Sequence, residues 1–241
     1  MGTERWEERS PALRRFCTTY LPDVMGVQEL SVESGALIDE ALPDHARVED
    51  DLSGWTTEGN IWWHNGLFEL VDHGAEDIGI EPPDDRRLFW VRLQLRDRPR
   101  TLWVGSMHLT SADTPKELDE GWSSRVPETK RAIDALGRLV GADEPAFLVG
   151  DFADALVPLA HLFKSGFHSC FARLAQLPPP TMPAFGDRLL KYGFSSSFVY
   201  DWIVANDQAR ALSASSPHVF ADHVPPSDHW PVHAVYELEG D

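Results

Sequence analysis

The sequence predicts an α/β (α+β) chain in which sheets are covered by helices within one domain. Short apolar runs bounded by turn residues alternate with segments of helical period. No repeat, low-complexity tract or linker divides the 241 residues, and a hydrophobic content of 42% with nine Trp supplies a sizeable core. The length is within the range of one large sheet fold.

The elements follow in order. Ser10-Pro11 predicts an N-cap and a proline at the first helical position, and Leu13, Phe16, Cys17 and Tyr20 then recur on one helical face until Pro22. Residues 24–30 form a short, mostly apolar run that predicts a buried strand with Glu29 at its end. A second helix is predicted over 32–42, stopped by Pro43. Residues 60–64 and 67–71 flank Asn65-Gly66, the strongest short signal for a β-hairpin. Strands are predicted over 88–96 and 101–108, with His108 where the second runs out. Residues 111–122 are polar without clear period and read as a loop. Ile133, Leu136, Leu139 and Val140 mark an amphipathic helix over 127–140. A strand at 146–149 leads into Gly150-Asp151-Phe152, 156–163 reads as helix, 167–171 as extended, and 177–186 as a Pro-rich connection. The last strands are 197–204, with Asp201 inside it, and 232–238, whose mouth is Pro226-Ser227-Asp228-His229-Trp230-Pro231.

Composition narrows the function. A net charge of −18 disfavours DNA or RNA as partner, because nucleic-acid affinity comes mostly from Lys and Arg contacts that release counterions. Cys17 and Cys170 fit a reduced protein better than a disulfide framework, and neither has a neighbour at zinc-ligand spacing. No apolar run approaches a membrane span, and the N-terminus does not read as a signal peptide. A soluble, cytoplasmic protein is expected.

The chemistry gathers at strand ends: Glu29, His108, Asp151, Asp228 and His229, with Asp201 in a strand. Carboxylates meeting in one cleft would repel each other, and a hard divalent cation, Mg2+ or Mn2+, removes that repulsion. Flanking histidines then suit phosphate-ester hydrolysis, one activating water and the other carrying charge on phosphoryl oxygens. Taken singly, each residue has a structural role open to it. Glu29 and Asp151 could cap the segments that follow, and His108 could be a hydrogen-bonded strand-end histidine. Asp201 in an apolar run is harder to dismiss, since a buried carboxylate needs a partner, and His229 is the natural one.

The order of these motifs resembles the endonuclease/exonuclease/phosphatase superfamily, whose members include DNase I-like nucleases, abasic-site endonucleases, neutral sphingomyelinases and inositol polyphosphate 5-phosphatases. Pro22-Asp23-Val24-Met25-Gly26-Val27-Gln28-Glu29 looks like its "PDV-G-QE" stretch, and Glu58-Gly59-Asn60 like its "EGN" hairpin. His108-Leu109, Gly150-Asp151-Phe152, Tyr200-Asp201-Trp202-Ile203 and Ser227-Asp228-His229-Trp230-Pro231 match further motifs in the same order, across nearly the whole chain. The resemblance implies a four-layer α/β/β/α sandwich of two packed sheets flanked by helices, formed by residues 1–241 as a single domain. It implies Glu29 as metal ligand, Asp228 supporting the metal or His229, and His229 as base or phosphate-side histidine oriented by Asp201. His108 would contact the phosphate or leaving group, and Asp151 would position the nucleophilic water.

Two departures qualify these roles. The family's first strand, with its metal-site Asn, should precede the first helix, where this chain has ten residues, so the domain is expected to lack it. The Asn of "GDFN" is Ala153 here, and Asp154 lies one position too late to replace it, because adjacent side chains diverge. The expected function is a metal-dependent phosphoesterase-like hydrolase with a degenerate site, acting on a small-molecule or lipid-type phosphate. The alternatives are a member repurposed for a non-hydrolytic reaction and an inactive binding protein.

Overall fold

The structure is a computed structural model that describes residues 5–80, 86–111, 114–182, 184 and 198–238. Its first helix, α1 (Trp6–Tyr20), begins a turn earlier than the Ser10-Pro11 signal predicts, and Pro11 lies inside it. Proline removes the hydrogen bond that the Glu7 carbonyl would accept, and the Ser10 hydroxyl donates to that carbonyl instead, at 3.5 Å. Strand β1 (Val24–Gln28) and helix α2 (Val32–Ala41) follow as expected. Ser31 caps α2, its side chain accepting from the Ser34 N–H while the Ser34 hydroxyl accepts from the Ser31 N–H.

Next come β2 (His45–Arg47), α3 (Gly54–Thr57), β3 (Gly59–His64) and β4 (Phe68–Asp77). The Asn65-Gly66 turn does not close a hairpin. β3 lies between β1 and β2, whereas β4 pairs with β5 (Arg87–Leu95) in a different sheet. The turn chemistry reverses the chain, but both edges of β3 are already taken, so the returning strand crosses to the other layer. β5 continues into β6 (Thr101–His108), as predicted.

Residues 115–120, expected as loop, form the short helix α4 (Pro115–Glu120), capped by Thr114, whose hydroxyl accepts from the Glu117 N–H. It has less than two turns and Leu118 is exposed, so no apolar period marks it. Helix α5 (Arg125–Leu139), strand β7 (Ala146–Asp151) and helix α6 (Val157–Lys164) match expectation. The extended run expected over 167–171 is only β8 (His168–Ser169); the Ser169 hydroxyl then caps α7 (Cys170–Arg173). In the expected Pro-rich connection, residues 183, 185 and 186 lie outside the described residues, as does Ser197 of the strand expected after it. That strand, β9 (Asp201–Ala205), begins at Asp201, which is therefore a strand-start residue and not an interior one. β10 (Ala209–Ser215) and β11 (His233–Leu238) complete the chain.

The layers form the expected α/β/β/α sandwich. One sheet is six-stranded, in the order β4-β5-β6-β7-β9-β8. Its outer face buries Trp103, Leu148 and Trp202 with Ala132, Ala135 and Leu136 of α5 and Leu162 of α6. The opposing layer consists of two pieces, β1-β3-β2 and β10-β11. The first packs Ile61 and Trp63 against Val91 and Val104 of the six-stranded sheet, and the second brings Tyr236 edge-on to Phe147. Leu13, Phe16 and Cys17 of α1 and Ile38 of α2 cover Val27 and Trp62 on the outer face of the first piece. No described helix is long and apolar enough to cross a membrane.

Candidate active site

Pairing of β6, β7 and β9 sets His108 opposite Asp151 and Asp151 opposite Asp201, in one row at one end of the six-stranded sheet. Directly opposed residues on neighbouring strands project from the same face. The row depends on Gly150, which has φ +143; a Cβ there would meet the Met107 carbonyl oxygen at 1.9 Å, so only glycine allows the approach of β7 to β6. Glu29 reaches the same end from the opposing layer, immediately after β1, and Asp228 and His229 sit on the loop before β11. All six line one cavity of about 1280 Å³. The structure thus brings together Glu29, His108, Asp151, Asp201, Asp228 and His229.

His229 Nδ1 donates to Asp201 Oδ2 at 2.9 Å. Asp151 stands between the two histidines, its Oδ2 lying 3.7 Å from His229 Nδ1 and 3.6 Å from His108 Nε2. Burial alone would lower the His229 pKa, but the hydrogen bond and charge of Asp201, with the charges of Asp151 and Asp228, raise it to about 9. Burial, reinforced by the charge of Asp201, pushes Asp151 up to about 7 against the opposing pull of His229. Burial, the nearby Arg86 and His229 lower His108 to about 4, despite the charge of Glu29. Near neutral pH the site therefore holds one cationic imidazole and one neutral one.

Of the residues that fix this geometry, Thr181 and Arg9 carry no signal in the sequence, whereas Gln28 belongs to the stretch that ends in Glu29. Thr181, fully buried, accepts on its hydroxyl from the Tyr200 and Asp201 N–H groups at 3.0 and 3.2 Å, and its carbonyl accepts from the Trp230 N–H at 2.7 Å. One residue, through its hydroxyl and its backbone carbonyl, thereby ties the start of β9 to the histidine loop. It follows a proline run, where nothing distinguishes it from other turn residues. Arg9, buried on α1, reaches Asp228 at 3.9 Å. Gln28 donates to the Ser106 hydroxyl at 2.7 Å, fastening the end of β1 to β6.

Ala153 has φ +49, in the left-handed region that a Cβ disfavours and that Asn tolerates better than most residues. Its N–H donates to Asp151 Oδ1 at 2.7 Å, and the residue is buried on the cavity wall.

Two donor groups suit a metal ion differently. Asp151, Asp201 and His229 each offer a ligand atom within 4.8 Å of the others and could hold one. In that trio an imidazole donating to Asp201 has no lone pair free at Nδ1. Glu29 and Asp228 lie close enough for their like charges to repel, and two carboxylates in that position fit a hard cation by donor type.

No protein-family model and no curated protein matches the sequence. Solved structures do match. An endonuclease/exonuclease/phosphatase from Bacteroides vulgatus superposes with a TM-score of 0.77 at 16% identity, covering 97% of this chain and 92% of that one. The chain has the endonuclease/exonuclease/phosphatase fold. A mannosyl-6-phosphatase of Bacteroides thetaiotaomicron gives a TM-score of 0.75 at 18% identity over 97% and 92% of the two chains. TDP2 of D. rerio, in a complex with a single-strand DNA product, gives 0.80 at 14% identity over 98% and 94%.

Proposed function

We propose that the chain is a phosphoesterase-like hydrolase acting on a small-molecule or lipid-type phosphate ester. The observation that carries this reading is the Asp201–His229 pair, set beside Asp151 and His108 at the open end of the sheet in this fold. Two similar structures are described by phosphate chemistry, one as a mannosyl-6-phosphatase and the other with a DNA product. The net charge of −18 favours a small substrate over a polynucleotide.

His229, held cationic by Asp201, stabilises charge on a phosphoryl oxygen and donates a proton to a leaving oxygen better than it abstracts one. Asp151, raised toward neutrality, is the group suited to accept the proton of an attacking water, and its Oδ1 is fixed by the Ala153 N–H. His108, neutral, hydrogen-bonds substrate oxygen or leaving group. Thr181 positions Asp201 without touching substrate. Glu29 with Asp228 would hold Mg2+ or Mn2+, which when bound supplies Lewis-acid charge at the phosphoryl group.

The test is hydrolysis of 4-nitrophenyl phosphate and bis(4-nitrophenyl) phosphate, with Mg2+ or Mn2+ and with EDTA. His229→Ala is expected to lose at least about a hundredfold, the scale of a removed preorganised group. Equal rates for the wild-type protein and His229→Ala on both esters would overturn the proposal. A second reading, a site rebuilt for a non-hydrolytic reaction or for binding, is favoured by one observation: Ala153 stands where the motif it resembles has Asn.

A further inference from the structure

We infer that a small pocket beside His108 is a subsite for a second anionic group of the substrate, a phosphate or carboxylate read by Arg86. The inference deepens the proposed hydrolase reading and rests on it for the place of the reacting phosphate. The pocket has a volume of about 200 Å³ and adjoins the larger catalytic cavity. Arg86, Arg87 and Glu58 line it. Gln28, Glu29 and His108 line both cavities, so a molecule held at the catalytic cluster reaches the pocket past His108.

The charges in this pocket do not cancel. Arg87 donates to Glu58, so those two answer each other. Glu29 shares its surroundings with Asp228 at the proposed metal position. Arg86 is left over. It is half-buried, and among the described residues its guanidinium has no ion pair and no hydrogen bond. The chain carries 39 acids against 21 bases, and Arg47, Arg92, Arg125 and Arg138 each meet a carboxylate. A half-buried guanidinium without a counterion loses water and gains no partner, so it contributes nothing to the fold. Its backbone is nonetheless fixed, because the Arg86 carbonyl accepts from the Ile78 and Gly79 N–H groups at 2.9 and 3.0 Å and β5 starts at the next residue. Its charge acts on His108, which places the two groups side by side. A donor fork on a fixed backbone, kept apart from the acids around it, suits an incoming oxyanion bidentately.

Two other roles explain less. Keeping His108 neutral needs no cavity at the guanidinium, and burial is already the largest cause of that lowering. A polynucleotide presents a row of phosphates and is gripped by several cations, whereas this pocket offers one unanswered guanidinium on a chain of net charge −18. A small substrate with two anionic groups accounts for both halves of the site, one group at the catalytic cluster and the other at Arg86. An ester with a single anionic group would leave the guanidinium unpaired and forgo that binding.

The test is calorimetry of the whole chain at a fixed free Mg2+ concentration. The probes are propylphosphonate, the terminal alkane bisphosphonates of two to four carbons, and 3-phosphonopropanoate, none of which can be hydrolysed. At least one two-anion probe is expected to bind at least about tenfold more tightly than propylphosphonate. Arg86→Gln should remove that preference while changing propylphosphonate affinity less than about twofold. Arg86→Lys keeps the charge without the fork and should retain part of the preference. The tighter of the bisphosphonate and the phosphonocarboxylate identifies the second anion. The inference is overturned by equal affinity for one- and two-anion probes, or by a preference that survives Arg86→Gln. Equal weakening of every probe in Arg86→Gln also overturns it, since Arg86 would then act only as a general charge beside His108. Single-stranded oligothymidylate binding as tightly as the best bisphosphonate, and lost in Arg86→Gln, would assign the pocket to a flanking phosphate of a polynucleotide and overturn the small-substrate form. Because no probe reacts, the preference is read independently of the His229→Ala rate comparison, and the two readings fail separately.

Discussion

Ala153→Asn is the most informative substitution in this protein, because backbone and chemistry make separate demands there. The residue has φ +49, a conformation that costs a residue with a Cβ roughly 1–2 kcal/mol and that Asn bears more easily. Its N–H already holds Asp151 Oδ1, so an Asn amide would project from a fixed backbone beside the proposed proton acceptor. A preorganised donor is worth on the order of 10²–10³ in rate. A tenfold gain requires only about 1.4 kcal/mol of transition-state stabilisation, a modest part of what a well-placed donor supplies. Ala153→Asn is therefore expected to keep or raise the melting temperature and to raise Mg2+-dependent hydrolysis of bis(4-nitrophenyl) phosphate at least about tenfold. Ala153→Gly separates the two demands, since it relieves the backbone without adding an amide and is expected to gain stability but not rate. A folded Ala153→Asn protein with no gain on mono- or diesters would refute the missing-donor account and favour a site rebuilt for another reaction.

Other expectations follow from the same geometry. Asp201→Asn should lower the His229 pKa from about 9 toward the ordinary imidazole value while leaving metal affinity nearly intact; an unchanged histidine set in an NMR titration would contradict the pairing. In EDTA, stability should fall as pH rises from about 6.5 to about 9. His229, raised in the folded state, contributes stability that is fully present below its unfolded pKa and lost through its folded one. At lower pH the raised Asp151 and the lowered His108 act in opposite directions, so the decline should show clearly only above about 6.5, and Asp201→Asn should flatten it. Thr181→Val removes the acceptor of two N–H groups and should cost about 1–3 kcal/mol in a denaturant titration. Glu29→Gln should abolish most of the calorimetric heat of Mg2+ or Mn2+ binding, and equal heats would exclude Glu29 as ligand.

The sequence by itself determined the local elements whose period or end signals are strong: β1, α2, β6, α5, β7 and β11 lie within a residue or two of their expected bounds. It also singled out Glu29, His108, Asp151, Asp201, Asp228 and His229, because ionisable groups at the ends of apolar runs stand out along a chain. Only the tertiary structure decided how these join. The in-register row His108, Asp151, Asp201 follows from strand pairing, and β9 reaches β7 across 49 residues that carry no pairing signal. The Asn65-Gly66 turn was legible as a reversal but not as a change of sheet, since which edge is free depends on β1 and β2 and not on the turn. Thr181 became visible only when its hydroxyl met two backbone amides from a distant strand. The proton states of the site were also out of reach, because burial and neighbouring charge act through space: the same residue type is raised to about 9 at His229 and lowered to about 4 at His108.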